Sequence, residues 1–197
     1  MGKRGFDLIA SACALLVLSP LLLLIAAAVA IESPGGAFFR QVRVGKGGKE
    51  FRLLKFRTMR LGSEAGGQIT VGGRDPRITR IGYVLRKTKL DELPQLLNIV
   101  VGEMSVVGPR PEVPRYVALY SEEQRQVLSV RPGLTSLASI AYIDENEVLG
   151  RASDPERVYV DEVMPAKLAL DLRYVRERSM RLDLRIIART ALRLFNR

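Results

Sequence analysis

The sequence predicts an α+β protein with a membrane-embedded N-terminal helix, a small mixed globular domain with a β-hairpin, and amphipathic helices at the membrane interface. Three observations support this fold class. An uncharged stretch runs from Leu8 to Ile31, two β-rich runs flank a glycine-rich turn at 45–48, and the last 22 residues combine arginines with apolar residues at helical spacing. We therefore expect three segments: 1–34, 35–175 and 176–197.

Composition excludes many familiar catalytic sites. The 197 residues include 31 Lys and Arg against 21 Asp and Glu, and the net charge of +10 favours anionic partners. There is no histidine, so Ser/His and Cys/His nucleophile pairs and metal sites with a histidine ligand are excluded. Cys13 is the single cysteine, which excludes an internal disulfide. Carboxylates, Lys, Arg, Ser, Thr and Tyr remain as candidates for chemistry.

The uncharged stretch is long enough to cross a membrane. As a helix it measures about 36 Å, against about 30 Å for a hydrocarbon core. Pro20 lies near its centre and crowds the carbonyl of Leu16, which predicts a break at Ser19-Pro20 and a re-entrant helix that enters and leaves one leaflet.

Basic residues flank both ends of this stretch and favour the re-entrant form, because positive flanks prefer the cytoplasm. We expect Ser19 to cap backbone groups that the break frees. A straight span is the first alternative. A signal peptide that ends at Ala28-Val29-Ala30 is the second.

Residues 176–197 are predicted to form one amphipathic interfacial helix. They contain seven arginines, of which five recur at every fourth position, and apolar residues as far as Leu194 and Phe195 fall on the opposite face. The arginines suit anionic lipid phosphates and the apolar face suits the interface. The alternative is a helix packed on the core with a solvated arginine face.

The polar body contains a predicted hairpin and a predicted loop. Residues 37–44 and 51–59 are β-rich and flank the turn at 45–48. Lys55 and Arg57 are two residues apart, so a strand would project both from one face. Residues 62–76 contain five glycines and predict a mobile loop or lid. The chain has no Walker-type or dinucleotide-binding fingerprint.

Asp91 and Glu92 are a candidate carboxylate pair at the start of a predicted helix. Apolar residues follow at helical spacing and Gly102 marks the stop, which puts Asp91 at the N-cap, where free amides attract anions and lower carboxylate pKa values. Simple capping is the alternative role. The basic neighbours of the pair favour a functional site over simple capping. They are Arg86, Lys87, Lys89 and Arg110.

Six motifs occur in order and together resemble the monotopic polyprenol-phosphate phosphoglycosyl transferases, often called bacterial sugar transferases. They are Phe39-Arg40-Gln41-Val42-Arg43-Val44-Gly45, Lys55-Phe56-Arg57-Thr58-Met59, Asp75-Pro76-Arg77-Ile78-Thr79, Leu90-Asp91-Glu92-Leu93-Pro94-Gln95-Leu96-Leu97-Asn98, Met104-Ser105-Val106-Val107-Gly108-Pro109-Arg110-Pro111 and Arg131-Pro132-Gly133. The ordered series is specific and covers nearly the whole chain. Ser19-Pro20 also resembles the break in the re-entrant helix of that family.

The resemblance implies transfer of a sugar 1-phosphate from a UDP-sugar to a membrane polyprenol phosphate, with release of UMP. The reaction would start surface glycoconjugate assembly at the cytoplasmic face of the bacterial inner membrane. Asp91 is implied as the nucleophile that forms an aspartyl phosphosugar, and Glu92 as its partner in metal binding or proton transfer, with Mg²⁺ held by both. Substrate-binding roles are implied for Lys55, Arg57, Arg86, Arg110, Arg131 and Asp171.

The resemblance also bears on partners. It implies a membrane, a UDP-sugar and polyprenol phosphate, with downstream glycosyltransferases and a second copy of the chain as further candidates. The sequence departs from the family after Gly133, in the segment 134–147, so the donor sugar is not assigned. The alternative function is a non-catalytic, membrane-anchored basic module that binds anionic lipid. The lack of Trp and of a nucleic-acid motif argues against nucleic acid.

Overall fold

The structure of the chain is a computed structural model that describes residues 2–63 and 75–195. It confirms a mixed architecture of helices and small sheets. The loop predicted at 62–76 falls mostly outside the described residues. The main elements are α1 (Lys3–Glu32), β1 (Phe38–Val44), β2 (Glu50–Phe56), α2 (Arg80–Thr88), α3 (Gln95–Val101), β3 (Ser105–Val107), α4 (Pro114–Val117), α5 (Glu122–Arg125), β4 (Gly133–Thr135), α6 (Leu137–Ala141), α7 (Glu145–Gly150), α8 (Pro155–Val158), α9 (Met164–Glu177) and α10 (Met180–Phe195).

Strands β1 and β2 form the predicted hairpin. They pair antiparallel from Phe38 opposite Phe56 to Val44 opposite Glu50. The sequence had predicted a β-rich run as far as Met59, but strand β2 ends at Phe56. The chain leaves the hairpin there because it pairs elsewhere: the carbonyl of Thr58 accepts a hydrogen bond from the amide of Thr79 at 3.0 Å.

Among the described residues, one helix is long and apolar enough to cross a membrane, and that helix is α1. It is one continuous element, so the two half-helices expected around Ser19-Pro20 are not separate. The Ser19 hydroxyl donates to the carbonyl of Leu16 at 2.8 Å, the group that Pro20 leaves without its helical partner. The predicted capping by Ser19 is confirmed, and it explains how the helix tolerates the proline. Insertion into one leaflet stays a prediction.

One side of α1 packs on the globular domain and the other is apolar and exposed. Ala14, Leu15 and Leu18 contact a core cluster that includes Phe51 and Ile99. Only 6% of the most apolar 18-residue stretch is buried, unlike the core helix of a soluble protein. Large exposed side chains on α1 include Leu16, Val17, Leu23, Leu24 and Ile31.

The two ends of α1 attach to the same domain. Near the N-terminus, the Arg4 guanidinium donates to the carbonyls of Ile99 and Val100 at 2.5 and 2.9 Å. The buried Asp7 carboxylate accepts a hydrogen bond from Ser105 at 2.8 Å. At the other end, the C-terminal carbonyls of α1 meet Arg57, as described below.

Strands β3 and β4 pair in parallel and bring two of the sequence motifs together. A Cβ on Gly108 would lie 2.4 Å from the carbonyl oxygen of Arg131, and one on Gly133 would lie 2.1 Å from the amide nitrogen of Gly108. Both positions therefore require glycine. This close crossing fixes the turn that carries Arg110.

The predicted single helix over 176–197 is wrong, because the chain breaks after Glu177 and α10 begins at Met180. The Ser179 hydroxyl accepts a hydrogen bond from the amide of Leu182 at 3.2 Å and so caps α10. The buried residues Asp183 and Ile186 add a face that packs on the domain. Arg197 lies outside the described residues, and the location of α10 at a membrane interface stays a prediction.

Candidate active site

A cavity of about 880 Å³ holds the predicted carboxylate pair and most of the predicted cations. Lys55 comes from β2, Arg86 from α2, and Arg110 from the turn after β3. Lys89 ends α2 in a left-handed conformation (φ 60°) directly before the pair. The ionisable residues of the lining around the pair are Lys55, Arg86, Lys87, Lys89, Arg110, Asp91 and Glu92, with a formal net charge of +3.

Asp91 and Glu92 lie in a short 3₁₀ turn over Leu90–Glu92, and α3 begins only at Gln95. The amides of Glu92 and Leu93 bond to carbonyls three residues back, each at 3.2 Å, and Pro94 has no amide to extend the pattern. Asp91 is therefore not the N-cap of a regular helix, which corrects the sequence prediction. Gly102 does end α3, with φ 95°.

Glu92 is held by two cations. Arg110 donates two hydrogen bonds to its carboxylate at 2.7 and 3.2 Å, and Lys55 donates a third at 3.1 Å. Burial alone would raise the pKa of Glu92, but Arg110 and Lys55 outweigh burial and hold that pKa well below its usual range. Glu92 is thus a permanent carboxylate: its Oε1 accepts two of these hydrogen bonds and its Oε2 accepts one, which leaves Oε2 able to take a further ligand.

Asp91 differs from Glu92 in its contacts. Its Oδ1 atom is buried and accepts no hydrogen bond from the part of the chain that the structure describes. Burial raises the pKa of Asp91; Lys55 opposes this effect and the charge of Glu92 reinforces it. The N-cap prediction implied a lowered pKa and is wrong on that point. Asp91 is therefore a carboxylate inside a cationic cavity, and its buried Oδ1 lacks a hydrogen-bond donor among the described residues.

Asp171 lies beneath the Arg110 turn. Its Oδ2 accepts a hydrogen bond from the amide of Arg110 at 3.3 Å. Burial raises the pKa of Asp171 to about 7, although this hydrogen bond and Lys167 oppose the shift. Because Asp171 contacts the main chain of Arg110 and is absent from the cavity lining, it holds the turn. Its predicted contact with substrate is not supported.

Two predicted substrate ligands lie outside the cavity lining. Arg57 is buried and donates to the carbonyls of Ser33, at 2.6 Å, and Pro34, so it caps the C-terminus of α1. Arg131 donates from Nε to the carbonyl of Gly102 at 2.8 Å. Both guanidinium groups donate to backbone carbonyls, and these contacts account for their positions without a bound phosphate. Arg57 also follows the last residue of β2, so the strand expected to carry both Lys55 and Arg57 ends before Arg57.

Sequence reasoning missed a further part of the cavity lining. Lys167 pairs with Glu145 at 2.7 Å, and Arg43 pairs with Glu112 at 2.9 Å. The Tyr159 hydroxyl donates to Glu112. Arg43 was within a recognised motif. Lys167 belongs to α9 and Glu145 to α7, and no local sequence pattern predicts that these two side chains pair.

No group of three Asp, Glu or Cys side chains suited to a metal occurs within residues 2–63 and 75–195. Two adjacent carboxylates are present, and the buried Oδ1 of Asp91 lacks a hydrogen-bond donor. Mg²⁺ commonly takes one or two carboxylates and completes its shell with substrate phosphates and water. The donor set fits Mg²⁺ in this manner.

Comparison with known proteins agrees with the motifs. The chain is 42% identical over 192 residues to a UDP-glucose:undecaprenyl-phosphate glucose-1-phosphate transferase of Caulobacter vibrioides, covering 95% of the chain and 67% of that protein. It is 42% identical to the exopolysaccharide production protein PSS of Rhizobium leguminosarum, covering 94% of the chain and 90% of that protein.

A third relative is named for a different sugar. It is the UDP-N-acetylgalactosamine-undecaprenyl-phosphate N-acetylgalactosaminephosphotransferase of Aeromonas hydrophila, which is 37% identical over 95% of the chain but 42% of its own length. The bacterial sugar transferase family matches residues 1–197. The recognition from sequence is confirmed: the chain belongs to the bacterial sugar transferases, a family of phosphoglycosyl transferases.

Proposed function

We propose that this protein transfers a sugar 1-phosphate from a UDP-sugar to polyprenol phosphate and so starts the assembly of a surface glycan. The products are a polyprenyl diphosphate sugar and UMP. The observation that carries the proposal is the Asp91 carboxylate, which lacks a hydrogen-bond donor for its buried Oδ1 among the described residues and lines a cavity rich in cations.

Asp91 is the better nucleophile of the pair. Arg110 and Lys55 occupy the oxygens of Glu92 and stabilise its charge, which lowers its reactivity. In the first step, an oxygen of Asp91 forms a bond to the phosphorus that carries the sugar, while the bond from that phosphorus to the bridging oxygen breaks. The electron pair stays with the bridging oxygen, which leaves as part of UMP.

The second step restores the enzyme. An oxygen of polyprenol phosphate forms a bond to the same phosphorus, and the bond from phosphorus to Asp91 breaks, which regenerates the carboxylate. One difficult displacement between two anions thus becomes two displacements at a preorganised site.

The cations of the cavity offset the charge that both steps accumulate. Arg86, Lys87 and Lys89 add positive charge to the lining, and Glu92 partly offsets the charges of Arg110 and Lys55. Burial lowers the pKa of Lys89, so an incoming diphosphate would favour its charged form. Asp91 and Glu92 would hold Mg²⁺ together with diphosphate oxygens. Bound Mg²⁺ supplies charge neutralisation at the phosphoryl group.

The site faces the cytoplasm, with α1 inserted into one leaflet of the bacterial inner membrane. Arg4 ties one end of α1 to the globular domain and Arg57 ties the other. The 30 residues of α1 measure about 45 Å as a helix, so a straight crossing would place one of these ends across the bilayer from the domain. The exposed apolar side of α1 supports burial in lipid.

The test is UMP release from purified protein in lipid nanodiscs, with a panel of UDP-sugars and undecaprenyl phosphate. Asp91→Asn should reduce turnover more than about 10³-fold, because it removes the anionic nucleophile. The matched control is Asp161→Asn, at an exposed acid that pairs with Arg157, and it should keep wild-type turnover. Both variants should remain with the membrane.

Two results would overturn the proposal. Full turnover by Asp91→Asn would remove Asp91 as nucleophile. Absence of UMP release by the wild type with every sugar, together with retained binding to anionic vesicles, would favour the lipid-binding module instead.

A further inference from the structure

The cavity has a second polar region that the two chemical steps do not use. It consists of Glu145, Tyr159 and Lys167, here called the Lys167 wall, and it lines the same cavity as Asp91. The Lys167 ammonium donates to Glu145 at 2.7 Å and lies 5.4 Å from the centre of the Tyr159 ring. Only 11% of the Lys167 side chain is exposed, so its charge is stabilised by protein groups more than by solvent.

Tyr159 is fixed on several sides. It begins a π-helical turn over Tyr159–Val163, a distortion that is frequent at functional sites. Its hydroxyl donates to Glu112, which Arg43 also holds. Its ring packs against Tyr116 with a centroid separation of 4.9 Å. The ammonium of Lys167 therefore lies over a rigid support.

The charge distribution assigns parts of a UDP-sugar to parts of the cavity. The lining around Asp91 carries a formal charge of +3 and suits the diphosphate. Lys167 and Glu145 neutralise each other, and the neighbouring lining residues Asp144 and Glu147 are acidic. This side of the cavity therefore disfavours the diphosphate and suits an uncharged polar group. An ammonium donates to hydroxyl oxygens and a carboxylate accepts from hydroxyl hydrogens, which are the two kinds of contact that a sugar ring offers.

Uracil fits the Lys167 wall less well. A planar base is usually held by stacking on an aromatic face. The ring of Tyr159 already contacts Lys167 and Tyr116. Tyr83 and Tyr142 also line the cavity and can stack with uracil, which leaves the donor's sugar for Lys167 and Glu145.

We propose that Lys167 and Glu145 bind the hydroxyl groups of the donor's sugar and thereby select the sugar, with Tyr159 as a positioning residue for Lys167. This inference rests on the proposed function. Glu145 belongs to α7, in the segment where the sequence departs from the family pattern, which is where a determinant of sugar choice is expected.

The experiment measures kcat/KM for UDP-glucose, UDP-galactose, UDP-N-acetylglucosamine and UDP-N-acetylgalactosamine, together with inhibition by UMP. Lys167→Met keeps the length of the side chain and removes its donors. We expect kcat/KM for the preferred donor to fall about 10- to 100-fold, the preference among sugars to narrow, and inhibition by UMP to change less than about twofold. Glu145→Gln should also narrow the preference, and it serves if Lys167→Met does not fold.

The matched control is Arg173→Met on the same helix, which removes an exposed pair with Glu177 outside the cavity lining. It should change none of these values. An equal loss for all four sugars with weaker inhibition by UMP would assign the wall to uridine and overturn the inference. Unchanged preference in both wall variants would overturn it as well. If the wild type uses none of the donors, the proposed function fails first, and the inference falls with it.

Discussion

Arg110→Met should destabilise the fold through the carboxylate that it leaves behind. Arg110 donates two of the three hydrogen bonds that Glu92 receives from the described side chains, and the Glu92 side chain is 11% exposed. Without Arg110, a buried anion keeps Lys55 as its partner. The pKa of Glu92 should rise, because the attraction that holds it low is largely removed.

The magnitude follows from these contacts. Removing one partner of a buried ion pair typically costs 3–5 kcal/mol. The Arg110 side chain is 30% exposed and Lys55 remains at 3.1 Å, so about 2–3 kcal/mol is appropriate here. For a chain of this size that corresponds to a fall in Tm of about 4–12 °C.

The assay is thermal unfolding of four proteins in one detergent: wild type, Arg110→Met, Glu92→Gln and the double variant. The second substitution removes the stranded charge, so the double variant should lose less stability than the sum of the singles, by about 2 kcal/mol. Arg176→Met, which removes an exposed pair with Glu123, is the control and should leave Tm nearly unchanged. Additive effects of the two single substitutions within about 0.5 kcal/mol would refute the reasoning.

Three further predictions concern stability and metal. Burial raises the pKa of Asp171 to about 7, against an ordinary value of about 3.9, so the protonated form stabilises the fold fully below pH 4 and this contribution is lost as the pH rises through 7. The wild type should therefore lose about 2 kcal/mol of stability between pH 5 and 7, and Asp171→Asn should lose less over the same range. The same dependence of Tm on pH in both proteins would contradict this prediction. Gly82→Ala should strongly reduce folded yield, because its Cβ would lie 2.2 Å from the carbonyl oxygen of Thr58, whereas Gly2→Ala, with nothing within 4 Å, should not; a normal yield of Gly82→Ala would contradict the packing. EDTA should stop UMP release and added Mg²⁺ should restore it, so a full rate in EDTA would remove the metal from the proposal.

The sequence predicted the hairpin, the long apolar helix and the central constellation of Asp91, Glu92 and Arg110. These succeeded because each rests on a local pattern or on a recognised motif. Arg57 lies at the end of α1 and not in the cavity lining, because a guanidinium group can donate to carbonyl oxygens as well as to phosphate oxygens. Only the fold shows that α1 ends beside it.

Other parts of the site depend on distant segments. Lys167 and Glu145 are separated by 22 residues and meet only when α7 and α9 pack. The start of α10 was readable, since Ser179 is an ordinary N-cap residue. The sequence prediction treated 176–197 as one unit because seven arginines are concentrated there, but the five at every fourth position, from Arg181 to Arg197, all follow the break.

The most direct test of the central claim is the mass of the protein after incubation with its UDP-sugar donor and Mg²⁺ in the absence of polyprenol phosphate. We expect an increase equal to one sugar phosphate, mapped to the peptide that contains Asp91, with one UMP released per protein; added polyprenol phosphate should discharge the adduct. An adduct on another residue, or UMP release that requires polyprenol phosphate and leaves the protein mass unchanged, would contradict it.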